Sequence, residues 1–144
     1  MPIGPEHEGR VYPPTRPYRV SRAKIAEFAA ALGDTNPRYC EDAEPVVAPP
    51  TFAAVIAARA WQALFDDPEL GLELQRIVHA EQRLDIVRPL REGDDVLATL
   101  TISKVRSRST TDMVTIAVRL DAVAGDVLGT ATSLLIHTHP EALA

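Results

Sequence analysis

The sequence has little cysteine, no excess of positive charge and no apolar run long enough to cross a membrane. Its only cysteine is Cys40, so no disulfide can form within the chain, and we expect a small inert side chain there rather than a reactive thiol. Acidic residues outnumber basic ones by 20 to 15 and no basic stripe is present, which argues against a nucleic-acid partner. The N-terminal segment MPIGPEHEGR lacks the apolar core of a signal peptide. We therefore expect a cytoplasmic protein with no membrane partner.

The most informative segment is the run TFAAVIAARAWQALF, from Thr51 to Phe65, in which only Arg59 is charged. Apolar residues on nearly every side predict a helix that is covered on most of its surface. The run is shorter than the roughly 18–20 apolar residues that a membrane-spanning helix needs. Arg59 must reach solvent, a carboxylate or a partner subunit. The chain of 144 residues is long enough for one hydrophobic core, and we expect a single domain over residues 1–144.

The residues before this helix predict an extended lead-in, a first helix and a long loop. Five prolines within residues 1–17 disfavour helix there, and a short strand is expected at 18–20. Ser21 is a suitable N-cap for an amphipathic helix, and Gly33 stands where a C-terminal cap belongs. Residues 33–50 are rich in turn-forming residues, which predicts a loop, and ordered loops of this length are often functional.

The second half of the chain predicts an antiparallel sheet. After a linker over residues 66–74, apolar and polar residues alternate along four segments: 75–88, 94–106, 112–123 and 127–138. Turn residues such as Glu92-Gly93-Asp94 and Ala124-Gly125-Asp126 separate the segments, and tight turns between consecutive strands give antiparallel pairing. We therefore predict an α+β fold in which an antiparallel sheet wraps around a long central helix.

The loop ahead of the central helix carries the strongest candidates for chemistry. Asp34, Asn36, Pro37 and Tyr39 lie close together in the sequence GDTNPRY. Taken alone, this segment is typical of a capped turn, because aspartate and asparagine favour such turns and proline stops the first helix.

The wider sequence context adds a family resemblance. The Asp-Thr-Asn-Pro loop precedes the apolar helix, which is followed by three further segments: His79-Ala80-Glu81-Gln82-Arg83, Arg88-Pro89-Leu90 and Gly93-Asp94. This combination resembles the MaoC-like hydratase/dehydratase family of the hot-dog fold, over residues 10–138. The segment Ala48-Pro49-Pro50-Thr51-Phe52 is similar to the actinobacterial branch whose members resemble the A-type subunit of (3R)-hydroxyacyl-ACP dehydratases.

The resemblance implies an activity and also shows where this chain departs from the pattern. In the family the loop is approximately Gly-Asp-x-Asn-Pro-x-His, and the aspartate and histidine hold a water beside the double bond of a trans-2-enoyl thioester. Asp34, Asn36 and Pro37 match this pattern, whereas Tyr39 occupies the histidine position. Histidine titrates near neutral pH and suits a general base, but phenols ordinarily titrate near pH ~10. We therefore expect an incomplete dyad, in which Tyr39 binds water or the acyl group and Asp34 is a less efficient base.

The resemblance also implies an oxyanion hole at the start of the central helix. Family members bind the thioester carbonyl there with backbone N–H groups, where the helix dipole and free donors favour negative charge. Thr51 is the matching position, and we assign substrate binding to Pro50, Thr51 and Phe52. Pro49 and Pro50 have no N–H to donate, but Thr51 has one. The alternative is that the two prolines simply start a helix.

The resemblance implies a subunit of a (3R)-hydroxyacyl-thioester dehydratase or enoyl-thioester hydratase in fatty-acid metabolism. The substrate would be an acyl thioester of coenzyme A (acyl-CoA) or of acyl carrier protein (acyl-ACP), with no metal and no other cofactor, because the thioester supplies the activation. The chain would form a homodimer, or a heterodimer with a catalytic MaoC-like subunit. Two alternatives stay open: a non-catalytic acyl-thioester-binding or scaffolding subunit, and a hot-dog thioesterase that uses Asp34 or Glu81.

Other polar residues are weaker candidates. His79 and Glu81 are two residues apart, so we expect them to share one face of a strand, and we expect Glu81 to form a surface pair with Arg83. His137 and His139 are expected to be solvated, because no further ligand motif accompanies them, and the alternative is a metal-binding pair.

Overall fold

The computed structural model describes residues 2–143, so Met1 and Ala144, the two ends of the predicted 1–144 domain, lie outside the described part. Helices and strands follow in this order: β1 (Tyr18–Arg19), α1 (Arg22–Leu32), α2 (Phe52–Ala58), α3 (Gln62–Asp66), β2 (Ile77–Ile86), β3 (Asp95–Arg108), β4 (Thr111–Ala122) and β5 (Val127–Thr138). Short 3-10 turns lie at Pro5–His7, Pro37–Tyr39, Arg59–Trp61, Leu74–Arg76 and Pro140–Leu143.

The five strands form one antiparallel sheet with the order β1-β3-β4-β5-β2. Tight turns join β3 to β4 and β4 to β5, as the alternating pattern predicted. The sheet curls around the central helix, which is the hot-dog arrangement. The predicted α+β class and the predicted wrapped sheet are both confirmed. β2 begins at Ile77 rather than at residue 75, because residues 74–76 form a 3-10 turn.

The central helix runs continuously from Phe52 to Asp66, one residue later at each end than predicted. Its middle turn, Arg59–Trp61, is of the tighter 3-10 type, but Arg59 keeps right-handed helical angles, with φ −64° and ψ −27°. Buried side chains recur every four residues and so lie along one side: Phe52, Ile56, Ala60 and Leu64. Each of the three large ones contributes about 1.5–3 kcal/mol by leaving water.

The face of the central helix that points away from these buried residues is left exposed by residues 2–143. Val55 is 38% exposed, and Ala58, Arg59 and Gln62 are exposed beside it. The guanidinium carbon of Arg59 lies 5.2 Å from the centre of the Tyr18 ring, so this charge sits over an aromatic face at the surface. The prediction of a helix covered on most sides therefore holds only for the sides that face the sheet and α1.

Side chains on the three long strands alternate between a core face and an outer face, as predicted. A bulge after Ile102 shifts the register between β3 and β4, and it brings Val105 to the core face as well. The core face carries these buried residues: Val96, Ala98, Leu100 and Ile102 of β3, Val114, Ile116, Val118 and Leu120 of β4, and Ala131 and Leu135 of β5.

The two edges of the sheet differ in what covers them. The lead-in segment 9–19 runs along the outer edge of β3, where the N–H of Gly9 donates to Ile102 O at 2.7 Å and the N–H of Tyr12 donates to Leu100 O at 3.0 Å. The predicted extended lead-in is confirmed apart from the 3-10 turn Pro5–His7. At the other edge, no segment within residues 2–143 pairs with the outer side of β2. One edge is thus closed by the chain itself, and the other stays open.

The open edge strand β2 contains a bulge that the sequence did not predict. His79 pairs with Leu135 and Glu81 pairs with Leu134, so the register shifts between them. A one-residue shift moves the following side chains to the other face. His79 therefore contacts Trp61 edge-on, with ring centres 5.0 Å apart, whereas Glu81 lies on the outer face. The prediction that the two residues share one face is wrong.

The surface pair predicted between Glu81 and Arg83 does not form. Arg83 binds Asp85 instead, with Nε 3.1 Å from Oδ2. Glu81 and Asp85 are each two residues away from Arg83. Exposed ion pairs of this kind contribute about 0–1 kcal/mol, so the two possible pairs differ little in free energy.

The ends of α1 are those predicted. Ser21 Oγ accepts the N–H of Lys24 at 3.2 Å, and Gly33 ends the helix with a φ of 71°. That angle lies in the left-handed region, where glycine avoids the steric cost of a Cβ. No helix within residues 2–143 has the length and apolar character needed to cross a bilayer.

Candidate active site

Gly33 turns the chain out of α1 into the loop that carries Asp34. Asp34 Oδ1 accepts the N–H of Asn36 at 3.0 Å, and Asn36 Oδ1 accepts the N–H of Arg38 at 3.0 Å. Two consecutive side-chain-to-backbone bonds of this kind fix a loop that has no regular structure. They lead into the 3-10 turn that ends at Tyr39. The capped turn is therefore present, and it positions Tyr39.

A short antiparallel pairing builds a pocket between this loop and the start of the central helix. The N–H of Ala48 donates to Leu90 O at 2.7 Å, and the N–H of Glu92 donates to Val46 O at 3.2 Å. The pocket has a volume of about 120 Å³, and its lining includes Tyr39, Val47, Pro49, Pro50, Ile86 and Leu90. A mainly apolar cleft with few polar groups is the usual form of a small-molecule site.

A largely buried ion pair holds the pocket wall that follows β2. Two nitrogens of Arg88 each lie 2.9 Å from a carboxylate oxygen of Asp94, and the N–H of Arg91 donates to the same carboxylate at 2.9 Å. Burial alone raises the pKa of Asp94, but these bonds outweigh it and the pKa falls below its ordinary value. The pair therefore fixes the turn that carries Pro89 and Leu90. The Arg-Pro-Leu and Gly-Asp segments supported the family resemblance, but their spacing did not reveal this role.

The structure brings some of the predicted site residues together and leaves others apart. Tyr39 is half-buried and lines both the pocket and a neighbouring shallow groove. Asp34 lies in that groove, so Tyr39 stands between it and the pocket. Pro50 lines the pocket, whereas the Asn36 side chain is used inside its own turn. Ile86 also lines the pocket and was missed, although its place at the end of a predicted strand could have suggested it.

The start of the central helix offers one free backbone donor. The N–H of Phe52 donates to Pro49 O at 2.9 Å, and the N–H of Ala53 donates to Pro50 O at 3.3 Å. Within residues 2–143 the N–H of Thr51 has no acceptor. The Phe52 side chain is fully buried and does not reach the pocket. Of the three residues assigned to substrate binding, only Pro50 is part of the pocket lining, and the exposed Thr51 next to it has a free donor.

A family model and curated relatives match most of this chain. Residues 6–131 match the family model described as FAS1-like, dehydratase domain region. The chain belongs to this family. A UPF0336 protein of Cutibacterium acnes is 53% identical over 141 residues, which cover 98% of each chain. The predicted resemblance to the actinobacterial MaoC-like dehydratases is confirmed at the level of the family.

Solved structures of dehydratases and hydratases have the same fold as this chain. A chain of the HadBC (3R-hydroxyacyl-ACP dehydratase) complex from Mycobacterium tuberculosis superposes with a TM-score of 0.79 and 23% identity, over 90% of this chain and 96% of that one. The R-hydratase PhaJ1 from Pseudomonas aeruginosa gives a TM-score of 0.69 and 18% identity, over 92% and 82%. At these identities the likeness shows the fold alone, and it confirms the hot-dog fold.

The two histidines near the end of this chain differ in exposure: His137 is buried, so the prediction of a solvated side chain is wrong for it, whereas His139 is partly exposed. The His137 side chain is 3% exposed, and His139 Nε2 lies 2.8 Å from Asp112 Oδ2. The alternation of β5 explains the error, because His137 lies two residues after the buried Leu135 and therefore faces the core. Asp112, His137 and His139 form a cluster that shares no residue with the pocket.

Proposed function

We propose that this chain is a hot-dog subunit of a (3R)-hydroxyacyl-thioester dehydratase or enoyl-thioester hydratase, with Tyr39 in place of the usual histidine. The observation that carries the proposal is the apolar pocket between Tyr39 and the proline-led helix start. An acyl chain needs an apolar cleft, and a thioester carbonyl needs a donor at its mouth. Membership of a dehydratase-region family supports this class of reaction.

The free N–H of Thr51 supports carbonyl binding. It follows Pro50 directly, and Pro50 lines the pocket. The helix behind it adds a favourable dipole for the negative charge that develops on the thioester oxygen. A single donor of this kind is worth about 2.7–4 kcal/mol in an acyl-transfer site. The carrier is coenzyme A or ACP, because both present the acyl group as the same thioester.

Two uncovered surfaces support a dimer. The exposed helix face at Val55, Ala58 and Arg59 is largely apolar, and the outer edge of β2 has unpaired backbone groups. A second hot-dog chain can cover both surfaces at once by extending the sheet. We propose a homodimer for the chain alone and a heterodimer with a catalytic MaoC-like subunit, which would supply the missing base.

Tyr39 favours a second candidate, a non-catalytic subunit that binds or shapes the acyl-thioester channel. A phenol closes the pocket as well as an imidazole does, but it is a poor base. The thioesterase alternative loses one of its two carboxylates, because Glu81 lies on the outer face of β2 beyond the bulge. It would then depend on Asp34 alone.

The test is hydration of crotonyl-CoA, followed by loss of enoyl absorbance. The chain is assayed alone and after co-expression with a MaoC-like chain of the same genome that carries the full Gly-Asp-x-Asn-Pro-x-His motif. Asp34→Asn is the test variant, and Asp42→Asn, an exposed aspartate of the same loop, is the matched control. A product assay separates hydroxyacyl thioester from free thiol.

Each outcome has a defined meaning. Hydroxyacyl product whose rate falls with Asp34→Asn, but not with Asp42→Asn, supports the proposed subunit. If product forms only with the partner, and its rate of formation does not change with Asp34→Asn, the non-catalytic subunit is favoured. Release of free thiol would identify a thioesterase, and the absence of any turnover in both samples, with the chains folded, overturns the dehydratase assignment.

A further inference from the structure

A buried polar cluster lies on the core side of the sheet, outside the pocket. Asp112, at the start of β4, is its centre: Oδ1 accepts the hydroxyl of Ser107 at 2.6 Å, and Oδ2 lies 2.8 Å from His139 Nε2. His137, near the end of β5, completes the cluster. The Asp112 and His137 side chains are 2% and 3% exposed. Charged and titratable groups buried this deeply normally have every polar atom satisfied.

One atom of the cluster is not satisfied. Within residues 2–143, His137 Nδ1 has no hydrogen-bond partner, and it lies 3.9 Å from Asp112 Oδ2, which is too far for a hydrogen bond. The other ring nitrogen is engaged, because the backbone N–H of Glu73 donates to His137 Nε2 at 3.3 Å. Since Nε2 accepts, it carries a lone pair, and the neutral ring carries its proton on Nδ1. The ring is therefore fixed in one tautomer.

This bond ties a turn to the sheet. Glu73 precedes the 3-10 turn Leu74–Arg76, which leads directly into β2. Ile77, the first residue of β2, pairs with His137 across the sheet. The Glu73 carboxylate does not contribute to the tie, because Oε2 binds Arg76 Nε at 2.6 Å within the turn. The side-chain hydrogen bond that joins β5 to this turn therefore depends on the lone pair of His137 Nε2.

We propose that His137 is a proton-sensitive latch: neutral His137 holds the 73–76 turn against β5, and a proton on Nε2 releases the turn and the start of β2. A protonated Nε2 is a donor, and it would face the N–H of Glu73, which is also a donor. Two facing donors repel each other, so protonation does more than weaken the bond.

The groups around the ring set the pH range of the latch. Burial lowers the pKa of His137 below the ordinary value, and it outweighs the nearby Asp112 carboxylate of β4. His139, just after β5, lowers the pKa further, and Glu73 opposes this. The pKa of His137 is thus lower with the turn held than with the turn released. The latch is therefore intact above pH 6.5, the ordinary histidine value, and it weakens as the pH falls below 6.5.

The cluster does not resemble a nucleophile site. The hydroxyl of Ser107 donates to Asp112 rather than to a histidine, so no base activates the serine. The unsatisfied Nδ1 of His137 carries the ring proton and is therefore a donor, not a metal ligand. The contacts of His137 are therefore those of a residue that holds the 73–76 turn.

The test is amide hydrogen exchange of the full chain, read by NMR at pH 7.5 and pH 5.5 and corrected for the intrinsic rates. Single-proton linkage predicts that the opening equilibrium at Glu73 rises between these pH values, by up to about tenfold. The core amide of Ile116 serves as the internal reference and should keep its protection. His137→Gln keeps an acceptor near Nε2 but cannot titrate, so it should remove the pH dependence. His139→Gln is the matched control and should retain it.

Each result decides for or against the latch. Equal protection of the Glu73 amide at both pH values in the natural chain overturns it, as does pH dependence that survives in His137→Gln. If that variant does not fold, the control decides, because loss of the pH dependence in His139→Gln would assign the proton to His139. The ¹⁵N shifts of the His137 ring give an independent check, since a proton on Nε2 at neutral pH contradicts the proposed tautomer.

Discussion

Replacing Tyr39 by histidine completes the motif Gly-Asp-x-Asn-Pro-x-His on a loop whose shape is already fixed. The side-chain bonds of Asp34 and Asn36 hold the turn that ends at residue 39, and residue 39 lines both the pocket and the groove of Asp34. An imidazole there faces the space that a hydrating water would occupy. A positioned general base contributes about 10²–10⁴-fold to the rate. We expect Tyr39→His to raise kcat/KM for crotonyl-CoA hydration by a factor in this range.

The assay follows enoyl absorbance with the purified chain, and two further variants and a pH–rate profile make it specific. Tyr39→Phe keeps the ring but removes the hydroxyl, and it should behave like the natural chain if Tyr39 is not a base. Adding Asp34→Asn to Tyr39→His should return the rate to the starting level, because the dyad is again incomplete. The pH–rate profile of Tyr39→His should rise through about pH 6.5, as expected for a histidine base.

Two results would refute this reasoning. If Tyr39→His folds, retains its thermal unfolding temperature within a few degrees and shows no gain in rate, the tyrosine is not what limits hydration. If the gain appears but survives Asp34→Asn, histidine acts without the aspartate, and the dyad inferred from the family does not operate in this chain.

Three stability predictions follow from the packing. Leu64→Ala empties a fully buried site on the central helix and should cost about 2–5 kcal/mol in the free energy of unfolding, measured with urea. Gly129→Ala should cost about 1–3 kcal/mol, because the new Cβ would lie 2.5 Å from the backbone oxygen of Asp85. Asp94→Asn should cost about 1–3 kcal/mol at neutral pH by leaving an arginine unpaired. That difference should shrink as the pH falls below 3.8, because the depressed pKa stabilises only the ionised form.

The controls for these variants are equally specific. Gln62→Ala changes the exposed side of the same helix and should stay within about 0.5 kcal/mol of the natural chain. A loss for Leu64→Ala no larger than this would contradict the burial argument. If Gly129→Ala leaves the free energy of unfolding unchanged, β2 can move away from β5 at no cost in stability. A pH-independent penalty for Asp94→Asn would show that the charge of Asp94 is not what stabilises the turn.

The sequence predicted the fold because its patterns are local and consistent. Alternation along β3, β4 and β5 fixes which face meets the core, and the apolar run from Thr51 to Phe65 predicts a helix packed against that core, although one of its faces stays exposed. The caps at Ser21 and Gly33 mark α1 within one residue. These signals depend on neighbours in the chain, so no tertiary information is needed to read them.

The sequence failed where the outcome depends on contacts between distant segments. The bulge in β2 separates His79 from Glu81, and period-2 alternation contains no signal for an inserted residue. The error at His137 has another cause: it was expected to be solvated because no further ligand motif accompanies it, although the alternation through Leu135 already indicated the core face. The pocket wall depends on the pairing of residues 46–48 with 90–92, which lie far apart in the chain.

The missing histidine and the uncovered surfaces fit one physical explanation. The phenol of Tyr39 lines the pocket but is a poor base, so the pocket suits the binding of an acyl chain better than hydration chemistry. The N–H of Thr51 stays free to bind a carbonyl, and the helix face at Val55 and the edge of β2 stay free to bind a second chain. Under the proposed function, binding groups are therefore kept in this chain while the base is supplied by a partner. The two-chain assay separates these roles, because Asp34 and the partner's base would then affect the rate independently.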